Sequence, residues 1–192
     1  LRQRVELTRL VVPTVDPEHV IYLVNPLGQI PTLQLDDGTV LTESASILIH
    51  VGLQFPASGL LPAGAAERAQ ALRGLVYIAS NCYAAIGVND YPERWLPGAS
   101  KAAQLRLRQG ARARLHRLWD LFADQFPAPV AYYGGARPGA LDLLAAVVSR
   151  WSGTRAHLQT SRAELAALVK RVDEDPEFQA LFLTHWPPRA AA

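Results

Sequence analysis

Apolar and polar positions fall in short strand-like runs through the first third of the chain and settle into helical spacing beyond it. Residues 4–12, RVELTRLVV, are mostly apolar or β-branched and stop at Pro13, which predicts a strand. Asp16-Pro17-Glu18 has the form of a helix start, with an acidic cap and proline at the first helical position. That helix must end before Asn25-Pro26, because a residue preceding proline avoids the helical region. Two short apolar runs, Thr32–Leu35 and Val40–Thr42, flank Asp36-Asp37-Gly38 and predict a β-hairpin. Glu43-Ser44 opens a helical apolar run, Ala45–Val51, which Gly52 is expected to close as a C-cap.

Pro56, Ser58, Gly59, Pro62 and Gly64 then make a linker-like stretch. Residues 65–88 place Ala69, Leu72, Val76, Ala79, Tyr83 and Ile86 three or four apart, predicting a helix with that face buried. Asn89–Gly98 reads as a loop. Residues 100–126 predict a long helix with Leu115, Leu118, Trp119, Phe122 and Phe126 inward. Its other face carries Lys101, Arg106, Arg108, Arg112, Arg114 and Arg117. Prolines and glycines from Pro127 to Pro138 break that helix. Further helices are predicted over Ala140–Trp151, from a Ser161-x-x-Glu164 capping box, and from Asp175-Pro176, the last carrying Phe178, Leu181 and Phe182. The pattern divides the chain into an α/β part, residues 1–55, and an all-helical part, residues 65–192.

Composition narrows the function classes. Of 192 residues, 49% are hydrophobic and 19% charged, a globular rather than a disordered balance. No stretch reaches the roughly 18 uninterrupted apolar residues of a membrane span, so no membrane partner is expected. Cys82 is the single cysteine and cannot form an internal disulfide, which points to a reducing, cytoplasmic setting. A net charge of +2 neither demands nor excludes nucleic acid. Arg108 and Arg112 share a face of the helix predicted over residues 100–126, but Arg106 and Arg114 spread around it and no aromatic platform is interleaved, so a solvated face explains them and no nucleic-acid partner is expected. His19, His50, His116, His157 and His185 show no metal-ligand spacing, and no metal is expected. The sequence holds no methionine. It is therefore expected either to begin after the true start or to have lost methionines, for example as a modified residue.

Two motifs are more specific than the pattern around them. Asn25-Pro26-Leu27-Gly28-Gln29-Ile30-Pro31 and, after the hairpin, Glu43-Ser44-Ala45-Ser46-Ile47 together resemble the glutathione-binding half of the soluble, bacterial-type glutathione S-transferases. The interval between them is also that family's. The resemblance continues more loosely over the helical part. There the family's Ser/Thr-x-x-Asp capping element corresponds to Gly139-Ala140-Leu141-Asp142, with the aspartate kept and glycine, a tolerable cap, in place of the hydroxyl.

The resemblance implies a thioredoxin-like domain followed by a helical bundle, glutathione as co-substrate, and homodimers. It also implies a cis Ile30–Pro31 peptide that turns the backbone of Ile30 outward to pair with the cysteinyl part of glutathione like an added strand. Ser44 would stand at a helix N-terminus, where free N–H groups and the dipole favour the γ-glutamyl carboxylate. Glu43 would accept from the ammonium, and Gln29 would reach the glycyl carboxylate. Each residue also has a plainer reading. Pro31 fits an ordinary trans proline at an edge strand, Ser44 a simple helix cap, and Glu43 and Gln29 solvated surface.

In this family a Tyr, Ser or Cys beside the sulfur activates the thiol, at the end of the first strand or the start of the first helix. Those elements precede the strand at residues 4–12, so that strand, that helix and the activating residue are expected to be missing from the sequence as written. Cys82, between Ala79, Tyr83 and Ile86, reads as a small buried hydrophobe, and Thr8 and Ser46 as structural. The family's acceptor site lies between the domains, and Tyr83, Tyr91 and Trp95 are aromatic candidates near its entrance, with core or loop packing equally open. The first functional reading is a transferase that conjugates the glutathione thiolate to an electrophilic apolar small molecule. A glutathione-dependent reductase or isomerase is a near variant. A non-catalytic glutathione-binding, ligand-binding or interaction protein of the same fold is the alternative.

Overall fold

The computed structural model describes residues 20–187, and the chain divides into two compact units, Leu1–Ile47 and Leu48–Ala192. The strand expected over residues 4–12, the helix start at Asp16-Pro17-Glu18, Thr8 and His19 lie outside the described residues.

In the first unit a single helical turn, α1 (Ile21–Val24), ends at Asn25, whose backbone is already extended although its N–H still bonds the Ile21 carbonyl at 2.7 Å. Pro26 enforces that ending. Strands β1 (Thr32–Gln34) and β2 (Val40–Thr42) pair antiparallel where the Asp-Asp-Gly pattern predicts a hairpin, with Thr32 opposite Thr42 and Gln34 opposite Val40. Leu35 donates its N–H to Thr39 O at 2.9 Å and Thr39 donates its N–H to Asp37 Oδ1 at 2.8 Å, closing the turn around Gly38, whose φ of 85° suits a residue without Cβ. Helix α2 (Ser44–Gln54) follows and runs across the boundary between the units. Gly52 is not its C-cap. It lies inside the helix, where a Cβ would come within 2.6 Å of the Leu61 side chain, so its role is close packing.

The second unit is helical. Helix α3 (Ala65–Tyr77) continues through a π-helical segment, Ile78–Tyr83, into α4 (Ala84–Asp90). Asn81 Nδ2 donates to the Tyr77 carbonyl at 3.1 Å across the widened turn. The buried stripe is Ala71, Gly74, Leu75, Ile78, Cys82, Ala85 and Ile86; of the expected face Ile86 is buried as predicted, but Val76 is 55% and Tyr83 38% exposed. This run is apolar around most of its circumference, so spacing alone does not choose the buried side. By length and apolar composition alone Ala65–Asp90 could cross a membrane; here Leu75, Ile78 and Cys82 are fully buried within the helical unit. The stretch expected as a loop holds a further turn, α5 (Pro92–Trp95).

Helix α6 (Lys101–Gln125) starts where Ser100 Oγ accepts the Ala103 N–H at 3.3 Å. Leu115, Leu118, Trp119, Phe122 and Phe126 point into the core as predicted, and Trp119 meets Phe122 edge-on at 5.3 Å. Helices α7 (Ala140–Val148), α8 (Thr154–Ser161), α9 (Ala163–Asp173) and α10 (Gln179–His185) complete the described unit. α8 has no counterpart in the sequence reading. Ser161 caps nothing: it is the last residue of α8, and its hydroxyl donates to Asp120 Oδ1 at 2.9 Å. α10 begins later than expected, because Asp175 first accepts the Glu177 N–H at 3.0 Å in a turn.

Asp142 anchors the start of α7. It is fully buried and accepts backbone N–H bonds from Tyr133 at 2.8 Å, Gly134 at 2.8 Å and Gly139 at 2.9 Å. Burial pushes its carboxyl above the usual range, and the backbone donors pull it back. Glycine at 139 is a requirement rather than a weakness. A Cβ there would come within 2.9 Å of Gly134 Cα and 3.0 Å of the Leu60 carbonyl.

Candidate functional site

The hairpin register brings the two motifs together. Thr32 lies opposite Thr42, so Ile30-Pro31 and Glu43-Ser44 leave the same open end of the hairpin. The Ile30–Pro31 peptide is cis, and Ile30 is 60% exposed.

Asn25 builds the loop that delivers them. It is 97% buried by its 3% exposure, and its side chain works in both directions. Its Oδ1 accepts the Leu27 N–H at 3.1 Å, an Asx turn, while Nδ2 donates to the Gln29 carbonyl at 2.9 Å and to Thr32 Oγ1 at 3.2 Å. Thr32 Oγ1 in turn donates to the Gln29 carbonyl at 2.8 Å. Gly28 turns the chain at φ 61°, where a Cβ would also strike the Tyr22 ring at 2.3 Å. The sequence reading places Asn25 at the head of the first motif and Thr32 at the start of the hairpin but gives neither side chain a role. The signal was present, since asparagine ahead of Pro-x-Gly is an Asx-turn former.

At the other motif, Glu43 holds φ 65°, a region that residues with a side chain seldom occupy. Its carbonyl accepts the Ile47 N–H at 3.0 Å and so begins α2. Helix geometry then leaves the N–H groups of Ser44, Ala45 and Ser46 without helical acceptors, at the positive end of the helix dipole. Ser44 is half-buried there, and Glu43, Gln29 and Pro31 are exposed. The open hairpin end thus presents anion-favouring donors, an adjacent carboxylate and the exposed Ile30.

The other candidates separate from it. Cys82 is fully buried, and burial pushes its thiol up to about 12, which removes it as a nucleophile. Tyr83 packs edge-on against Trp151 at 5.7 Å. Trp95 lines a groove of ≈ 450 Å³ between α4 and α6 with Ala84, Val88, Leu107 and Gly110, whereas Tyr91 lines a different depression. Among the described residues no group of His, Cys, Asp and Glu is placed to hold a metal ion. The arginines at 106, 108, 112, 114 and 117 are exposed along α6.

With this geometry in view, four similarities to known proteins bear on the chain. The family model described as the N-terminal domain of glutathione S-transferase matches residues 2–52, a segment that contains both motifs. The GST-like protein YncG of Escherichia coli K12 is 29% identical over 157 residues, covering 81% of this chain and 73% of its own. A crystal structure of a glutathione transferase from Methylococcus capsulatus (Bath) is 30% identical with a TM-score of 0.62, over 85% of this chain and 76% of that one. A sphingomonad glutathione S-transferase complexed with glutathione is 25% identical with a TM-score of 0.64, over 86% of this chain and 78% of that one.

Proposed function

The chain belongs to the glutathione S-transferase family, with its thioredoxin-like N-terminal part and helical C-terminal part, and from that premise we propose that it binds glutathione at Gln29, Ile30, Pro31, Glu43 and Ser44. The observation that carries the reading is the hairpin register, by which the exposed Ile30 and the start of α2 leave the same hairpin end. The sphingomonad relative, crystallised with glutathione, supports the ligand. The γ-glutamyl carboxylate takes the N–H groups and hydroxyl at Ser44, where partial positive charge favours an anion. Its ammonium lies against Glu43. The cysteinyl backbone adds to Ile30 as a short antiparallel strand, and the glycyl carboxylate meets Gln29.

The reaction in this reading is attack of the glutathione thiolate on an electrophilic carbon of an apolar small molecule. A carbon–sulfur bond forms, the leaving group departs with its electron pair, and the thiol proton goes to solvent. Binding both reactants in one site converts a bimolecular encounter into an oriented one. The chain's own contribution is to hold the peptide by its two charged ends, leaving the sulfur free to react.

Calorimetric titration of the full chain with glutathione tests the site. Ser44→Ala should weaken binding by about tenfold, the loss of one hydrogen bond to a charged group, with the circular dichroism spectrum unchanged. Equal affinity in the two proteins removes Ser44 from the site. Absence of any thioether product with a nitro-activated aryl chloride, in a protein that does bind glutathione, would favour the binding-only alternative.

A further inference from the structure

An open polar depression of ≈ 360 Å³ lies in the helical unit between the end of α4 and the first half of α6, lined by Asn89, Asp90, Tyr91, Arg108 and Arg112. Nothing in the glutathione reading uses it. Its organiser is Asn89, only 5% exposed. The Asn89 carbonyl accepts from Arg108 Nε at 2.8 Å. The Asn89 side-chain Nδ2 donates to Asp90 Oδ1 at 2.7 Å and to Ser152 Oγ at 3.2 Å. One buried residue therefore positions a cation and an anion at the same depression.

Those charges do not neutralise each other. Asp90 comes within ion-pair distance of neither guanidinium, and among the described residues neither Arg108 nor Arg112 makes a salt bridge. Arg108 uses its Nε and keeps its terminal nitrogens uncommitted. Arg112 stands one helical turn on, so two like charges share a face at a spacing that is mildly unfavourable on its own. A guanidinium offers a planar fork suited to a carboxylate, and two of them on one wall suit it better. A bare anion, however, would also meet the Asp90 carboxylate. The ligand that satisfies both walls carries an anionic and a cationic group close together.

We propose that this depression is a binding site for a small zwitterionic α-amino acid, with the carboxylate on Arg108 and Arg112 and the ammonium on Asp90. Tyr91, 48% exposed with Arg94 against its ring at 4.1 Å, forms the remaining wall. The site is independent of the hairpin end: its residues belong to the other unit, and its test needs no glutathione.

The test is a titration of the full chain with L-alanine, and separately with acetate and with ethylamine, followed by the NMR shifts of the Asn89 side-chain amide and the Tyr91 backbone amide. L-alanine should give saturable shifts, with acetate weaker by about tenfold, the loss of the one contact to Asp90, and ethylamine weaker by about a hundredfold, the loss of the two contacts to Arg108 and Arg112. Arg112→Gln, which removes a side chain that bonds no described residue, should weaken L-alanine by a similar factor. Asp90→Asn should reverse the preference, weakening L-alanine and strengthening acetate. Saturable binding of acetate as tight as L-alanine, unaffected by Asp90→Asn, overturns the zwitterion assignment. Absence of saturable shifts with L-alanine overturns the site.

Discussion

His116 and His157 stack face to face, with ring centroids 4.4 Å apart and planes inclined by 12°, joining α6 to α8. Each ring spends its Nε2–H on a different acceptor: His116 on the Ser152 carbonyl at 3.2 Å, and His157 on Asp120 Oδ1 at 3.0 Å. Two protonated imidazoles at this separation repel. Burial lowers the His116 pKa, and His157 and Arg112 lower it further, against the opposing pull of the Ser152 carbonyl and Asp120.

That depression fixes the sign of a pH effect. Below its ordinary value of 6.5, His116 binds a proton more readily in the unfolded chain than in the folded one. Its contribution is therefore present above pH 6.5 and is lost as the pH falls from there through the depressed folded value. The melting temperature of the full chain should fall on acidification across that window. His116→Gln, which keeps a donor toward Ser152, should flatten the dependence. An unchanged slope in the variant assigns the effect to other groups.

Glu43 provides a test that separates backbone from side chain. A residue with Cβ at φ 65° is held there at a cost of about 1–2 kcal/mol, and glycine adopts that conformation freely. Glu43→Gly should leave stability unchanged or raise it by up to about 1 kcal/mol, the strain relief being offset by unfolded-state entropy. Glutathione affinity should drop at the same time. A variant that melts earlier and binds glutathione as well as the parent contradicts both parts.

Asp142 satisfies donors from Tyr133, Gly134 and Gly139 in a fully buried setting. Replacement by alanine strands those N–H groups. Each unsatisfied buried donor costs about 1–3 kcal/mol, so Asp142→Ala should destabilise the chain by roughly 3–5 kcal/mol in urea titration. Less than about 1 kcal/mol would mean that water replaces the carboxylate.

Cys82 should be silent to thiol reagents. With the side chain fully buried and the thiol pushed up to about 12, almost no thiolate exists at neutral pH. A maleimide should label the native chain only at the rate of unfolding, and label it promptly in denaturant. Fast stoichiometric labelling of the folded protein would place the sulfur at the surface instead.

The local code of the chain was enough for the features whose causes are local. Asp36-Asp37-Gly38 between two apolar runs determined the hairpin, because a turn that needs positive φ selects its residues within a few positions. The inward face of α6 was legible because Leu115, Leu118, Trp119, Phe122 and Phe126 recur on one side and the arginines fall off it. The two motifs were legible as text, but their meeting depends on register: only the pairing of Thr32 with Thr42 shows that residues so far apart in the chain share one hairpin end.

What tertiary structure alone decided follows from partners that no short window contains. The buried face between Ala65 and Asp90 is chosen by what packs on it, since the segment is apolar on nearly every side. Ser161 has the sequence of a cap and serves Asp120, 41 positions away. Gly52 reads as helix punctuation and proves to be a point of contact with Leu61, whereas Gly139 is the N-cap of α7 as read and is in addition a point of contact with Gly134 and the Leu60 carbonyl. The histidine stack and the depression organised by Asn89 likewise join residues from separate helices. Turn and cap preferences act through a few adjacent dihedrals and can be read one segment at a time. Close packing and buried polar pairing are properties of the assembled chain, and there the same residue takes whichever role its neighbours leave it.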